Sequence, residues 1–170
     1  MEDTPISIGL ILDVSKSMTN KVDAERIAVS EFFKNANPED DYFAISLADR
    51  PHVLADTTQS LEQIERKLAF VTPAGHTALL DAIYLGVSKM RDAHYQRRAL
   101  LIISDGGDNH SHYALKEIKK LVQESDVLVH SAGIVDTLTV PVVKTIEEKL
   151  GQPLLTKIAE ASGGRNCCCQ

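Results

Sequence analysis

Asp13-Val14-Ser15-Lys16-Ser17 sets a carboxylate and two hydroxyls at alternate positions. In an extended segment, alternate side chains project to the same side of the backbone. Two further polar groups follow: Thr77 in Gly75-His76-Thr77, and Asp105 in Ser104-Asp105-Gly106-Gly107-Asp108-Asn109. Carboxylates and hydroxyls are hard oxygen donors, the kind that magnesium gathers in an octahedral shell at about 2.0–2.1 Å. Oxygens from Asp13, Ser15, Ser17, Thr77 and Asp105 would leave a corner of that shell for water or a ligand, and manganese accepts the same donors. Such a centre forms only if the fold brings three distant stretches together.

The surrounding pattern indicates how they meet. The stretch 6–12 is almost continuously apolar and reads as a strand buried on both faces. A helix is predicted over 22–36, with Val22, Ile27, Val29, Phe32 and Phe33 on its apolar side. Residues 42–47 read as a second strand and 52–55 as a short edge strand. A brief helix is predicted over 61–70, stopping before Thr72-Pro73, and another over 78–91. The most apolar strand is 99–103, followed by a helix over 113–123, a strand over 127–134 and a last helix over 154–162 before Gly163-Gly164. Within 135–153, residues 140–143 look extended and 144–150 helical, so this stretch is expected to be a connection with one extra short helix. Strand-helix alternation of this kind predicts an α/β fold: a doubly wound, mostly parallel sheet with helices on both faces. Ligands in such sheets bind beyond the carboxyl ends of the strands, where all three polar groups fall.

Taken together, Asp13-x-Ser15-x-Ser17, the distant Thr77 and the distant Asp105 resemble the metal-ion-dependent adhesion site of the von Willebrand factor A family. Flanking residues carry the likeness further, in Ile8-Gly9-Leu10-Ile11-Leu12, Gly75-His76-Thr77-Ala78-Leu79 and 102–109, the last most similar to bacterial members. The resemblance spans about 6–164. It implies a Rossmann-like sheet with one short antiparallel edge strand, and a magnesium ion that captures a Glu or Asp carboxylate from a protein partner. In that family the two serines and sometimes the threonine touch the ion, while the aspartates often act through water. Hydroxyl ligands add no negative charge, so the ion stays electrophilic enough to attract an outside carboxylate. The chain is thus expected to be a single domain over 1–170 that binds proteins and is not an enzyme. Two other roles fit the same residues: a regulatory subunit or domain of an AAA-ATPase, chelatase-like machine, and a structural module whose metal only ties loops together.

Simpler readings stand beside these. Ser15 and Ser17 could cap the helix that follows. Asp108 is expected to support the Gly106-Gly107 turn, with an outer-shell role at the metal as the alternative. His110 and His112 could join the nearby aspartates at a zinc site, although hydroxyls are poor zinc ligands. His76 reads as a rim residue that tunes partner choice. Metal-assisted hydrolysis would need a base near the ion, and only His76 or Asp108 qualifies. A calcium hand counted from Asp13 fails, with Met18 where glycine belongs and Ala24 where glutamate belongs. Gly-x-Ser-x-Gly, Walker and Gly-x-Gly-x-x-Gly signatures do not occur.

Composition narrows the partners. A formal charge of -6 disfavours a counterion-releasing grip on nucleic acid. No apolar run reaches the roughly 20 residues that span a bilayer, and Met1-Glu2-Asp3-Thr4-Pro5 lacks the features of a signal peptide. The chain therefore reads as soluble as written, or as a domain cut from a secreted or anchored protein. All three cysteines fall at 167–169, so disulfides are not expected to hold the fold. The last four residues formally satisfy a prenylation box, yet its middle positions are not aliphatic. Residues 165–170 are expected to be irregular or a shortened last strand, in place of the apolar strand usual in the family.

Overall fold

The structure, a computed structural model, describes residues 4–58, 60–134 and 146–169. Its strands are β1 (Ser7–Asp13), β2 (Asp41–Leu47), β3 (Pro51–Thr58), β4 (Arg98–Ser104), β5 (Leu128–Ile134) and β6 (Asn166–Cys169). They form one sheet in the order β3-β2-β1-β4-β5-β6. β1 lies between β2 and β4 and is parallel to both, which is why its residues read as a continuous apolar run. Among the described residues only β3 runs antiparallel, since a tight turn after β2 returns the chain directly along the sheet edge. It is longer than the 52–55 expected from the sequence.

Helices α1 (Val22–Lys34) and α2 (Leu61–Ala69) cover one face, where Val29, Ile64 and Leu68 share a core with Leu10, Leu12, Tyr42 and Ala44. On the other face lie α3 (Leu79–Met90), α4 (Leu115–Gln123) and α5 (Ile146–Ser162). There Ile83, Ile118, Val122, Leu155 and Ile158 pack with Ile11, Ile45, Leu100 and Ile102. Successive β1 residues feed opposite cores, as the period of a strand requires.

Two sequence expectations change. In α1, Ile27 lies outside, 64% exposed, whereas Glu25 is fully buried. α5 is one helix from Ile146 with Pro153 inside it, where the sequence suggested a connection before a helix over 154–162. A proline lacks one helical donor but does not end a helix whose apolar side is packed, and Leu155, Ile158 and Ala159 are completely buried. Of the two forms expected for 165–170, the structure has the shortened last strand: residues 166–169 pair in parallel with β5, Ser131 opposite Asn166 and Ile134 opposite Cys169. Ser131 and Asn166 join through a 2.8 Å side-chain hydrogen bond. The extended reading of 140–143 lies outside the described residues.

Candidate metal centre

From β1 the chain winds towards β2 on one side, and from β4 towards β5 on the other. The carboxyl ends of β1 and β4 therefore flank the point where winding reverses, the usual ligand position in open α/β sheets. Register places Leu12 against Ile103, so Asp13 and Ser104 end the two strands side by side, with Asp105 next. The Ser104 hydroxyl donates to Asp13 Oδ2 at 2.5 Å, and the main-chain N–H of Ser15 donates to Asp13 Oδ1 at 3.0 Å.

That second bond turns the chain. Rather than continuing extended, it enters one 3₁₀ turn at Lys16–Met18. The turn still joins the two serine side chains, with Ser15 Oγ and Ser17 Oγ 3.0 Å apart. Neighbouring corners of an octahedral magnesium shell are separated by about 2.9 Å, so the spacing fits two cis ligands. Capping does not account for these hydroxyls: neither the 3₁₀ turn, with Ser15 before it, nor α1 has a side-chain cap hydrogen bond.

Backbone bonds draw in the other two loops. Ala74 N–H donates to Val14 O at 2.9 Å, and Lys16 N–H to Gly75 O at 3.0 Å. The Thr77 carbonyl accepts from the N–H groups of Asn109 and His110 at 3.0 and 3.1 Å, while Thr77 N–H donates to Asn109 Oδ1 at 2.9 Å. Thr77 is thereby fixed between the first loop and the loop after β4. Asp108 takes a part that the sequence reading did not foresee. Its Oδ1 accepts from Leu79 N–H at 2.9 Å and from the Ser111 hydroxyl, capping the open start of α3 instead of supporting its own turn. Asp108→Ala is expected to cost about 1–2 kcal/mol of stability in urea unfolding, with part recovered in Asp108→Asn.

Asp105 is 4% exposed, and its Oδ2 lies 3.2 Å from Nζ of Lys21, itself 5% exposed. Asp13, Ser15 and Thr77 are also buried, but Ser17 is exposed. The cluster therefore meets solvent on its Ser17 side, beside exposed Lys16, His76 and His110. The two imidazoles stack with centroids 5.0 Å apart. Burial, helped by the charge of Asp105, pushes the Asp13 carboxyl up to about 6 against the pull of its Ser104 and Ser15 hydrogen bonds. Burial and the Asp13 charge hold Glu25 well above the carboxylate range. His112 is drawn elsewhere, its Nδ1 2.8 Å from Asp81 Oδ2. Among the described residues no three His, Cys, Asp or Glu side chains gather as a metal site, so a centre here depends on hydroxyls.

A family model of the von Willebrand factor type A domain matches residues 8–108, more than half of the chain. The chain belongs to this family. The match includes all five positions Asp13, Ser15, Ser17, Thr77 and Asp105. Von Willebrand factor A domains are protein-interaction modules, usually without catalysis, and often bind a divalent metal. A comparison with curated protein sequences returns no match. Among solved structures, the conserved hypothetical protein BatB from Bacteroides thetaiotaomicron is similar, with a TM-score of 0.76 at 17% identity, covering 97% of this chain and 90% of that one. An aerotolerance-related membrane protein from Bacteroides fragilis has a TM-score of 0.74 at 16% identity, covering 97% and 92%. The pilus adhesin SpaC from Lactobacillus rhamnosus GG has a TM-score of 0.73 at 16% identity, covering all of this chain but 28% of its own. At these identities the likeness establishes a shared fold.

Three participants in this von Willebrand factor A domain escaped the sequence reading: Ser104, Lys21 and Glu25. Ser104 was hidden because its role comes from cross-strand register. A signal existed for the other two. Lys21, just before α1, and Glu25 and Val29 within it recur every four residues, so two charged side chains continue the inward stripe of α1, where apolar residues are the rule.

Proposed function

We propose that this domain captures an acidic side chain of a protein partner at a magnesium-dependent site. The observation that carries this reading is the pair of serine hydroxyls 3.0 Å apart at the sheet's switch point, with Asp13 beside them. Asp13, Ser15, Ser17, Thr77 and Asp105 would hold one magnesium or manganese ion. Once bound, the ion supplies an electrophilic position for an outside carboxylate. The chain's own residues do the rest. Three hydroxyls donate oxygen without charge, Ser104 orients Asp13, and the exposed side at Ser17 leaves an approach for the partner.

The alternative of a metal that only ties loops together has less support, because backbone and side-chain hydrogen bonds already join all three loops. Titration of magnesium chloride into metal-free protein is expected to show one site, with at least tenfold weaker binding in Thr77→Ala. Equal binding in that variant would reject the ligand assignment. Binding without any magnesium-dependent association with acidic partner proteins would reject carboxylate capture.

A further inference from the structure

Lys21 sits where a lysine should be costly. It is buried, and it precedes α1, at the end of the helix where the backbone dipole disfavours positive charge. Main-chain bonds keep it there: its N–H donates to Met18 O at 2.8 Å, and its carbonyl accepts from Glu25 N–H at 3.0 Å. Its ammonium lies 3.2 Å from Asp105 Oδ2, so opposite charge offsets these costs. The same lysine joins the turn carrying Ser17 to the loop carrying Asp105.

Resting on the metal-dependent reading above, we propose that Lys21 is the resident counter-cation of the centre, keeping the metal-free loops folded and holding down the affinity for a divalent ion. Asp13 and Asp105 can supply two negative charges, and Lys21 returns one. Removing the ammonium makes the site one unit more negative whatever charge Glu25 carries, which strengthens attraction for a cation. It also leaves Asp105 buried beside a missing partner. A role in positioning Asp105 alone predicts the opposite for the ion, because a misplaced ligand binds it less well.

The test compares wild type, Lys21→Gln and Lys21→Arg by calorimetric titration with magnesium chloride and by thermal unfolding. In Lys21→Gln the metal-free midpoint is expected to fall by roughly 10 °C, with magnesium bound at least about tenfold more tightly. Lys21→Arg, which keeps the charge, is expected to bind magnesium within about threefold of wild type. If Lys21→Gln folds only with magnesium, the concentration that half-folds it is an upper limit on the dissociation constant of the folded site, and a limit below one tenth of the wild-type constant meets the expectation. Unchanged or weaker binding in Lys21→Gln, or a tenfold change in Lys21→Arg, overturns the proposal while leaving the metal site intact. A wild-type protein that does not bind magnesium rejects the metal reading and this inference with it.

Discussion

Asp13→Asn is expected to abolish magnesium binding and yet make the metal-free protein more stable at pH 7. The Asp13 carboxyl is buried and titrates near 6 in the folded chain, against an ordinary value of 3.8. Because the folded state holds this proton more tightly, the stabilisation is fully present below 3.8 and is lost as pH rises through 6. The difference corresponds to roughly 3 kcal/mol. At neutral pH the metal-free wild type carries a buried charge that folding disfavours, whereas asparagine never ionises. Its amide can still accept from Ser15 N–H and can donate to Ser104 Oγ with the hydroxyl reversed. Urea unfolding without metal is expected to give Asp13→Asn a gain of about 1–3 kcal/mol at pH 7, shrinking towards zero at pH 4. A constant difference across that range would show that charge burial is not its cause. Magnesium titration of the same variant supplies the second half, since one residue both destabilises the empty fold and serves the ion.

Gly151→Ala is expected to damage the centre from the helix packed against the Asp105 loop. A Cβ built on Gly151 would stand 2.5 Å from the carbonyl carbon of Gly106 and 2.7 Å from the carbonyl oxygen of Asp105. Both are backbone atoms, which cannot rotate aside as a side chain can. α5 therefore reaches the Asp105 loop through a contact that only two glycines permit. Gly106 adds a φ of 87°, a left-handed conformation that other residues adopt at a cost. Either the helix or the loop must move, with an expected loss of roughly 2–4 kcal/mol in Gly151→Ala. Gly106→Ala, strained as well as crowded, is expected to lose at least as much. If the loop moves, magnesium affinity falls with stability; if only the helix moves, stability falls alone. Unfolding and magnesium titration of the two variants distinguish these results, and wild-type behaviour in both would mean that the close approach does not constrain the fold.

Several parts of this arrangement were legible in the residues alone. Apolar runs ending in polar loops announced buried parallel strands, and the spacing of apolar positions announced most helices, because both are local consequences of backbone period. The order Asp13, Ser15, Ser17, Thr77 and Asp105 raised the expectation of one oxygen-rich cluster, since these residues fall at the end of β1, in the turn after it, before α3 and after β4. Where local signals conflicted with packing, packing won. The stretch through Pro153 read as a connection, but Pro153 lies within α5, whose buried side holds the helix together.

What only the tertiary structure decided was the electrostatic setting of the cluster. Ser104 meets Asp13 through the β1–β4 register, Lys21 meets Asp105 across 84 positions of chain, and Asp108 caps a helix that begins 29 positions earlier. Sequence spacing specifies which donors an element offers and on which side it offers them. Whether a charge is solvated, paired or buried depends on what the rest of the chain places against it, and at this site that sets both the proton affinity of Asp13 and the company of Asp105.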